Sequence, residues 1–161
     1  MTDEFRIFLA TIAGEAINSS PAAWRAVAST IMNRVGVREW KKRTTPLQVI
    51  AHTGFDAFNQ RNQPYCRAWK YFGAGRPATD GKLDALKKEV INIFLAPKVN
   101  AIPGIILYFS PRAQAMLHKL HPDKYRHEVP TWALSPLVEE VKVPGTEKDD
   151  FRWFRYREVV A

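Results

Sequence analysis

Near the N-terminus, Phe5, Phe8, Leu9 and Ile12 stand at i, i+3, i+4 and i+7, an apolar stripe that predicts a helix over residues 2–16. Ser20 followed by Pro21 is an N-cap and first-turn signal for a second helix to about residue 35. Trp24, Val27, Ala28, Ile31 and Val35 form one face of it, and Ala22, Ala26, Ser29 and Asn33 a small-residue face opposite. A helix apolar or small all round belongs at the centre of a core. Thr45-Pro46 opens a short helix, residues 65–72 carry another, and Asp80 caps a longer one to about residue 96, with Leu83, Leu86, Val90, Ile91 and Phe94 at helical spacing. The β-branched and aromatic run at 104–109 predicts a strand, after which Ser110-Pro111 caps a brief helix to about residue 120. Residues 138–143 and 151–159 alternate and predict a hairpin with a loop longer than the tight two-residue kind. The chain is thus helical over its first two-thirds and mixed over its last third, without repeats or low-complexity linkers.

At 161 residues it suits one domain, 1–161, long enough to close a core without staples. With 46% hydrophobic and 25% charged residues, it has the balance of a globular chain rather than a disordered one. The single cysteine, Cys66, excludes an intrachain disulfide and is expected as a small buried apolar residue. Met1-Thr2-Asp3-Glu4 has neither the basic nor the apolar region of a signal peptide. Pro97, Lys98 and Pro103 interrupt the longest apolar candidate for a membrane span. The expectation is a protein made in the cytoplasm and delivered elsewhere, if it acts elsewhere, by other means.

The formal charge of +8 favours a polyanionic partner: nucleic acid, anionic lipid, or a bacterial wall with its carboxylates and phosphates. Basic residues cluster modestly at 38–43 and at 152–157, the second cluster interleaved with aromatics. Charge alone does not choose among these partners.

One carboxylate stands out. At 100° per residue, Glu15 points only ~20° from Phe8 and ~60° from Ile12, within the core-facing stripe. Desolvation there disfavours the anion and raises the pKa, as a general acid near neutral pH requires. Ala13, Gly14 and Ala16 leave room for a substrate to approach. The alternative is a buried structural ion pair, with Arg34 for example. Asn33 is similarly open: it either satisfies backbone groups or helps line a site.

His118, His121 and His127, with Asp123 and Glu128 among them, have some of the ingredients of a zinc site. The spacing matches no strong zinc signature, and Lys119, Lys124 and Arg126 crowd the segment, so a solvated basic loop is the better reading. Trp132, Phe151, Trp153, Phe154 and Tyr156 are expected mostly as core on one sheet face, any exposed remainder being suited to stack on sugar rings or bases.

Thr11-Ile12-Ala13-Gly14-Glu15-Ala16, Ala26-Val27-Ala28 and Ile31-Met32-Asn33-Arg34-Val35 resemble the opening of the spore-cortex-lytic type of cell-wall hydrolase family. That family begins with Gly-Glu-Ala, followed at this spacing by Ala-Val-Ala and Asn-Arg-Val. Thr45-Pro46-Leu47-Gln48-Val49-Ile50 with Phe55 resembles the approach to the family's site loop, and Leu107-Tyr108-Phe109-Ser110-Pro111 its aromatic strand. The resemblance runs in order along the whole chain and is most specific over the first 35 residues. Two motifs depart from it: Asn18-Ser19-Ser20-Pro21 replaces the family's Gly-Glu-Pro, and Phe151-Arg152-Trp153-Phe154-Arg155-Tyr156 its closing Gly-x-His-x-Phe-Tyr.

The resemblance implies a mainly α, α+β fold of lysozyme-like design, with a helical lobe and a small antiparallel β lobe flanking a groove. It implies a glycosidase acting on bacterial peptidoglycan, between N-acetylmuramic acid and N-acetylglucosamine, with Glu15 as proton donor and no metal or cofactor. Cutting the acetal bond requires a protonated carboxyl beside the leaving oxygen while oxocarbenium-like charge develops. A hydrolase normally adds a second carboxylate, for which Asp56 is the best candidate and Glu128 the next. With one carboxyl, the muramic 6-hydroxyl can attack intramolecularly to give a 1,6-anhydro product. This lytic transglycosylase route is the first expectation and hydrolytic muramidase the second. Asn33, Asp56, Tyr108, Ser110 and Tyr156 are the expected sugar-positioning residues. A zinc amidase or peptidase, or a nucleic-acid-binding module without chemistry, are the readings from other classes. The lack of a signal fits a phage lysin, an excised domain or an injected toxin, the last implying an immunity protein as a second partner.

Overall fold

The computed structural model describes residues 1–37, 40–55, 61–73 and 79–158. Helices α1 (Asp3–Ala16), α2 (Pro21–Arg34), α3 (Pro46–His52), α4 (Gln63–Tyr71), α5 (Gly81–Leu95) and α6 (Pro97–Asn100) precede strand β1 (Leu107–Phe109). Helix α7 (Pro111–Leu120), a 3-10 turn at Thr131–Leu134, and strands β2 (Val138–Val141) and β3 (Arg152–Tyr156) complete it. The result is the mainly helical α+β architecture expected, with one antiparallel sheet in the order β1-β3-β2. No helix among the described residues is long and apolar enough to cross a membrane.

The helix starts form where short polar side chains satisfy the first-turn N–H groups. Thr2, Ser20, Thr45, Asp80 and Ser110 each accept from a backbone N–H in the first turn of the helix that follows, and Pro stands in the first turn of α2, α3 and α7. Helix α2 is buried almost all round, from Ala22 to Ala28 except Arg25 and on through Ile31, as its lack of a polar face requires. It packs on α5, and α1 packs on α4, so the two N-terminal helices form the centre of the main core. The Trp24 indole donates to Ala16 O at 2.7 Å and fastens the α1–α2 turn. Arg6 lies 3.5 Å from the Trp69 ring centroid and donates to Trp69 O, closing α1 onto α4.

The sheet divides two cores. Leu107 pairs with Phe154 and Tyr108 with Trp153, so strand alternation sends Leu107, Phe109 and Phe154 to a small outer cluster with Ile106 and Val138. Tyr108, Trp153 and Val141 face the helices instead. A slip of one residue would exchange the faces and turn Tyr108 away from α1.

The β2–β3 loop clamps two helix starts with consecutive aspartates. Asp149 accepts from Ser20 N at 2.9 Å and from the Ser20 hydroxyl, at the head of α2. Asp150 accepts from the Ser110 hydroxyl and from Arg112 N at 3.3 Å, at the head of α7. Gly145 allows the loop to press on α2: its φ is +89°, and a Cβ there would lie 2.8 Å from Ala22 Cβ.

Several expectations need correcting. Strand β1 begins at Leu107 rather than at 104, because Gly104 turns the chain at φ 75°. Pro97 starts α6 as well as ending the run before it, and the 3-10 turn was not foreseen. Cys66 is half-buried on α4, not sealed in the core.

Candidate functional site

Glu15 sits in the last turn of α1, where the rigid packing of that helix fixes its backbone. Its side chain is half-buried and lines a cleft of about 480 Å³ between the end of α1, the β1–α7 corner and the Phe151 segment. The Tyr108 hydroxyl donates to Glu15 Oε2 at 2.8 Å, a contact that depends on the register placing Tyr108 on the helix-facing side. Phe55, Phe151 and Trp153 surround the Tyr108 ring at centroid distances of 6.3, 5.6 and 5.2 Å. The opposite wall is α7, through Ala113, Gln114 and Leu117. A hydrogen-bonded carboxyl, an aromatic surround and a scatter of polar groups are the usual chemistry of a small-molecule site.

Arg34, the last residue of α2, also lines this cleft and is only 5% exposed. It is not hydrogen-bonded to Glu15. Its Nε donates to Ile106 O at 2.8 Å, and Nη1 donates to Thr53 O at 2.8 Å and to the Thr53 hydroxyl at 3.1 Å. The guanidinium carbon lies 4.2 Å from the Trp40 centroid and 4.8 Å from that of Phe55. Burial lowers its pKa to about 10, opposed by the neighbouring Tyr108, Tyr156 and Glu15, so it is a cation at neutral pH.

The sequence-predicted residues part company here. Glu15, Tyr108 and Ser110 come together on the cleft. Asn33 and Tyr156 do not; they line a separate depression, also about 480 Å³, with Pro103, Gly104 and Arg155. The Asn33 amide donates to Ile102 O and Ile105 O, both at 2.8 Å, and thereby holds the loop entering β1. Tyr156 lies two residues beyond Phe154 on β3, hence on the sheet face away from Tyr108. Asp56, and Arg38 of the first basic cluster, fall outside the described residues. Glu128 is exposed and is not among the residues lining the cleft. In the histidine segment, the His118 Nδ1 lies 2.6 Å from Tyr125 O, and no group of three metal-ligating side chains gathers among the described residues.

Two cleft residues were missed by sequence reasoning. Arg34 was weighed only as an ion-pair partner, and Asp150 was not singled out at all. Nothing local marks Asp150, whose partner Ser110 lies 40 residues away. Compared with protein-family models, curated proteins and solved structures, the chain matches none.

Proposed function

We propose that the protein cleaves the glycan strands of bacterial peptidoglycan, with Glu15 as general acid toward the glycosidic oxygen. The observation that carries this reading is the Glu15 carboxyl on an aromatic-lined cleft, oriented by the Tyr108 hydroxyl. A proton donor must be held within hydrogen-bond reach of the leaving oxygen, and a half-buried carboxyl on a core helix supports such a role. The opening-motif resemblance points to the same substrate.

The favoured route is the lytic transglycosylase one. Glu15 gives its proton to the leaving oxygen as the glycosidic bond breaks. It then takes the proton from the muramic 6-hydroxyl as that oxygen bonds to the anomeric carbon. The products are a new 4-hydroxyl end and a 1,6-anhydro end, and Glu15 recovers its proton. Asp150 supports hydrolysis as a second reading, because it is a further carboxylate on the same cleft. Its hydrogen bonds to Ser110 and Arg112 N give it a helix-capping task of its own, which keeps this reading second.

The test is digestion of purified peptidoglycan followed by product masses. Muropeptides lighter by one water than hydrolysis products, formed with or without EDTA, are the expected result. Reducing muramic ends would select the hydrolytic reading. New peptide amino groups on intact glycan would defeat both, as would tight DNA binding with no turnover of walls.

A further inference from the structure

Arg34 has more hydrogen-bonding capacity than the fold uses. Its Nε and Nη1 are committed to Ile106 and Thr53, whereas Nη2 makes none of these bonds. Nor is Nη2 among the sealed polar atoms lacking a partner, so the small exposed part of this side chain includes an N–H edge. Arg34 lines the same cleft as Glu15, Phe55 and Tyr108. The guanidinium is clamped by two aromatic rings and two backbone carbonyls, so little freedom is lost when it binds. A buried cation with a fixed, open N–H edge gains more from an anion than from a neutral acceptor, because the charge-assisted hydrogen bond is the stronger of the two.

We propose that Arg34 Nη2 is a carboxylate subsite of the cleft, recognising an acid group carried by the substrate. This inference rests on the glycan-cleaving reading for the identity of that substrate. Near the bond to be cut, the acid of the glycan itself is the lactyl carboxylate of the muramyl sugar. It is an anion on strands without peptide and a neutral amide where a peptide stem is attached. The subsite therefore makes peptide-free glycan the preferred substrate. A carboxylate of the stem peptide is the other source of the same chemistry.

The experiment measures binding of N-acetylmuramic acid, its N-methylamide and a free stem tripeptide to the intact protein by NMR titration or calorimetry. Arg34→Lys and Arg34→Gln are run beside the wild type, with circular dichroism as the folding control. A charge-assisted hydrogen bond predicts that the acid binds at least about tenfold more tightly than the amide. It also predicts that this difference shrinks in Arg34→Gln. Equal binding of acid and amide to wild-type protein overturns the subsite even if both variants fail to fold. Tighter binding of the tripeptide than of muramic acid, lost in Arg34→Gln, upholds a carboxylate subsite and overturns its lactyl assignment. Binding needs no turnover, so acid preference without glycan cleavage would refute the glycosidase reading alone. Cleavage without acid preference would refute the subsite alone.

Discussion

Glu15→Gln separates a catalytic carboxyl from a structural one. The amide is nearly isosteric, and its oxygen can still accept from the Tyr108 hydroxyl that now meets Glu15 Oε2 at 2.8 Å. For this contact the folded state should lose at most the worth of a hydrogen bond, about 0.5–1.5 kcal/mol. Removing a general acid typically costs 10²–10⁴-fold, or about 3–5.5 kcal/mol on the barrier at 1.36 kcal/mol per factor of ten. The two effects differ enough to be told apart. Lysis of purified peptidoglycan by turbidity, read with a thermal melt, supplies both numbers. Tyr108→Phe extends the test, since its hydroxyl acts through Glu15: it should lower lysis in the wild-type background and add nothing to Glu15→Gln. If Glu15→Gln kept more than about a tenth of wild-type lysis, Glu15 would lose the acid role. If folding and activity collapsed together, Glu15 would be structural.

Asp150→Asn keeps one acceptor oxygen, for Arg112 N, and presents its amide N–H to the Ser110 oxygen in place of the second, so cleavage should fall less than about tenfold and still give anhydro ends; a loss of about 10²-fold or more would make Asp150 part of the chemistry. Changing Lys41, Lys42 and Arg43 together to Glu should weaken wall binding and shift the salt optimum downward, because exposed charges are screened beyond ~8 Å at physiological ionic strength. Turnover of a short, weakly charged glycan should be almost unaffected, and an equal fall there would put this segment in the active site. Gly145→Ala should destabilise by about 1–3 kcal/mol, as both its φ of +89° and the 2.8 Å approach to Ala22 oppose a methyl group. An unchanged melting temperature would show that the loop relaxes freely.

The sequence was most legible where structure is set by neighbours along the chain. Ser20, Asp80 and Ser110 cap the helices they were expected to cap, because the capped N–H groups lie within three residues. Glu15 was legible for the same reason, its direction following from helical period alone. Tyr108 needed more. Alternation says that Tyr108 and Phe109 face opposite ways, but only pairing with Trp153 and Arg152 assigns the faces. The same register puts Tyr156 on the outward face with Phe154, away from that of Tyr108. Asn33 stayed open between backbone and site because its partners, the carbonyls of Ile102 and Ile105, lie about 70 positions on and carry no local signal.

The cleft also shows how a small sheet can govern a mainly helical protein. Phe151 and the two aspartates before it come from one short loop, yet each reaches a different element: Asp149 the head of α2, Asp150 the head of α7, and Phe151 the ring of Tyr108. Helix α7 has no fully buried residue, so packing alone anchors it weakly and its capping contacts matter more. Asp150 thus holds the far wall of the cleft, while Tyr108, on the adjoining strand, holds the carboxyl facing it. The segment 150–153 therefore contributes to both sides of the cleft. Asp150 braces the α7 wall, and Phe151 and Trp153 pack on Tyr108 on the facing side.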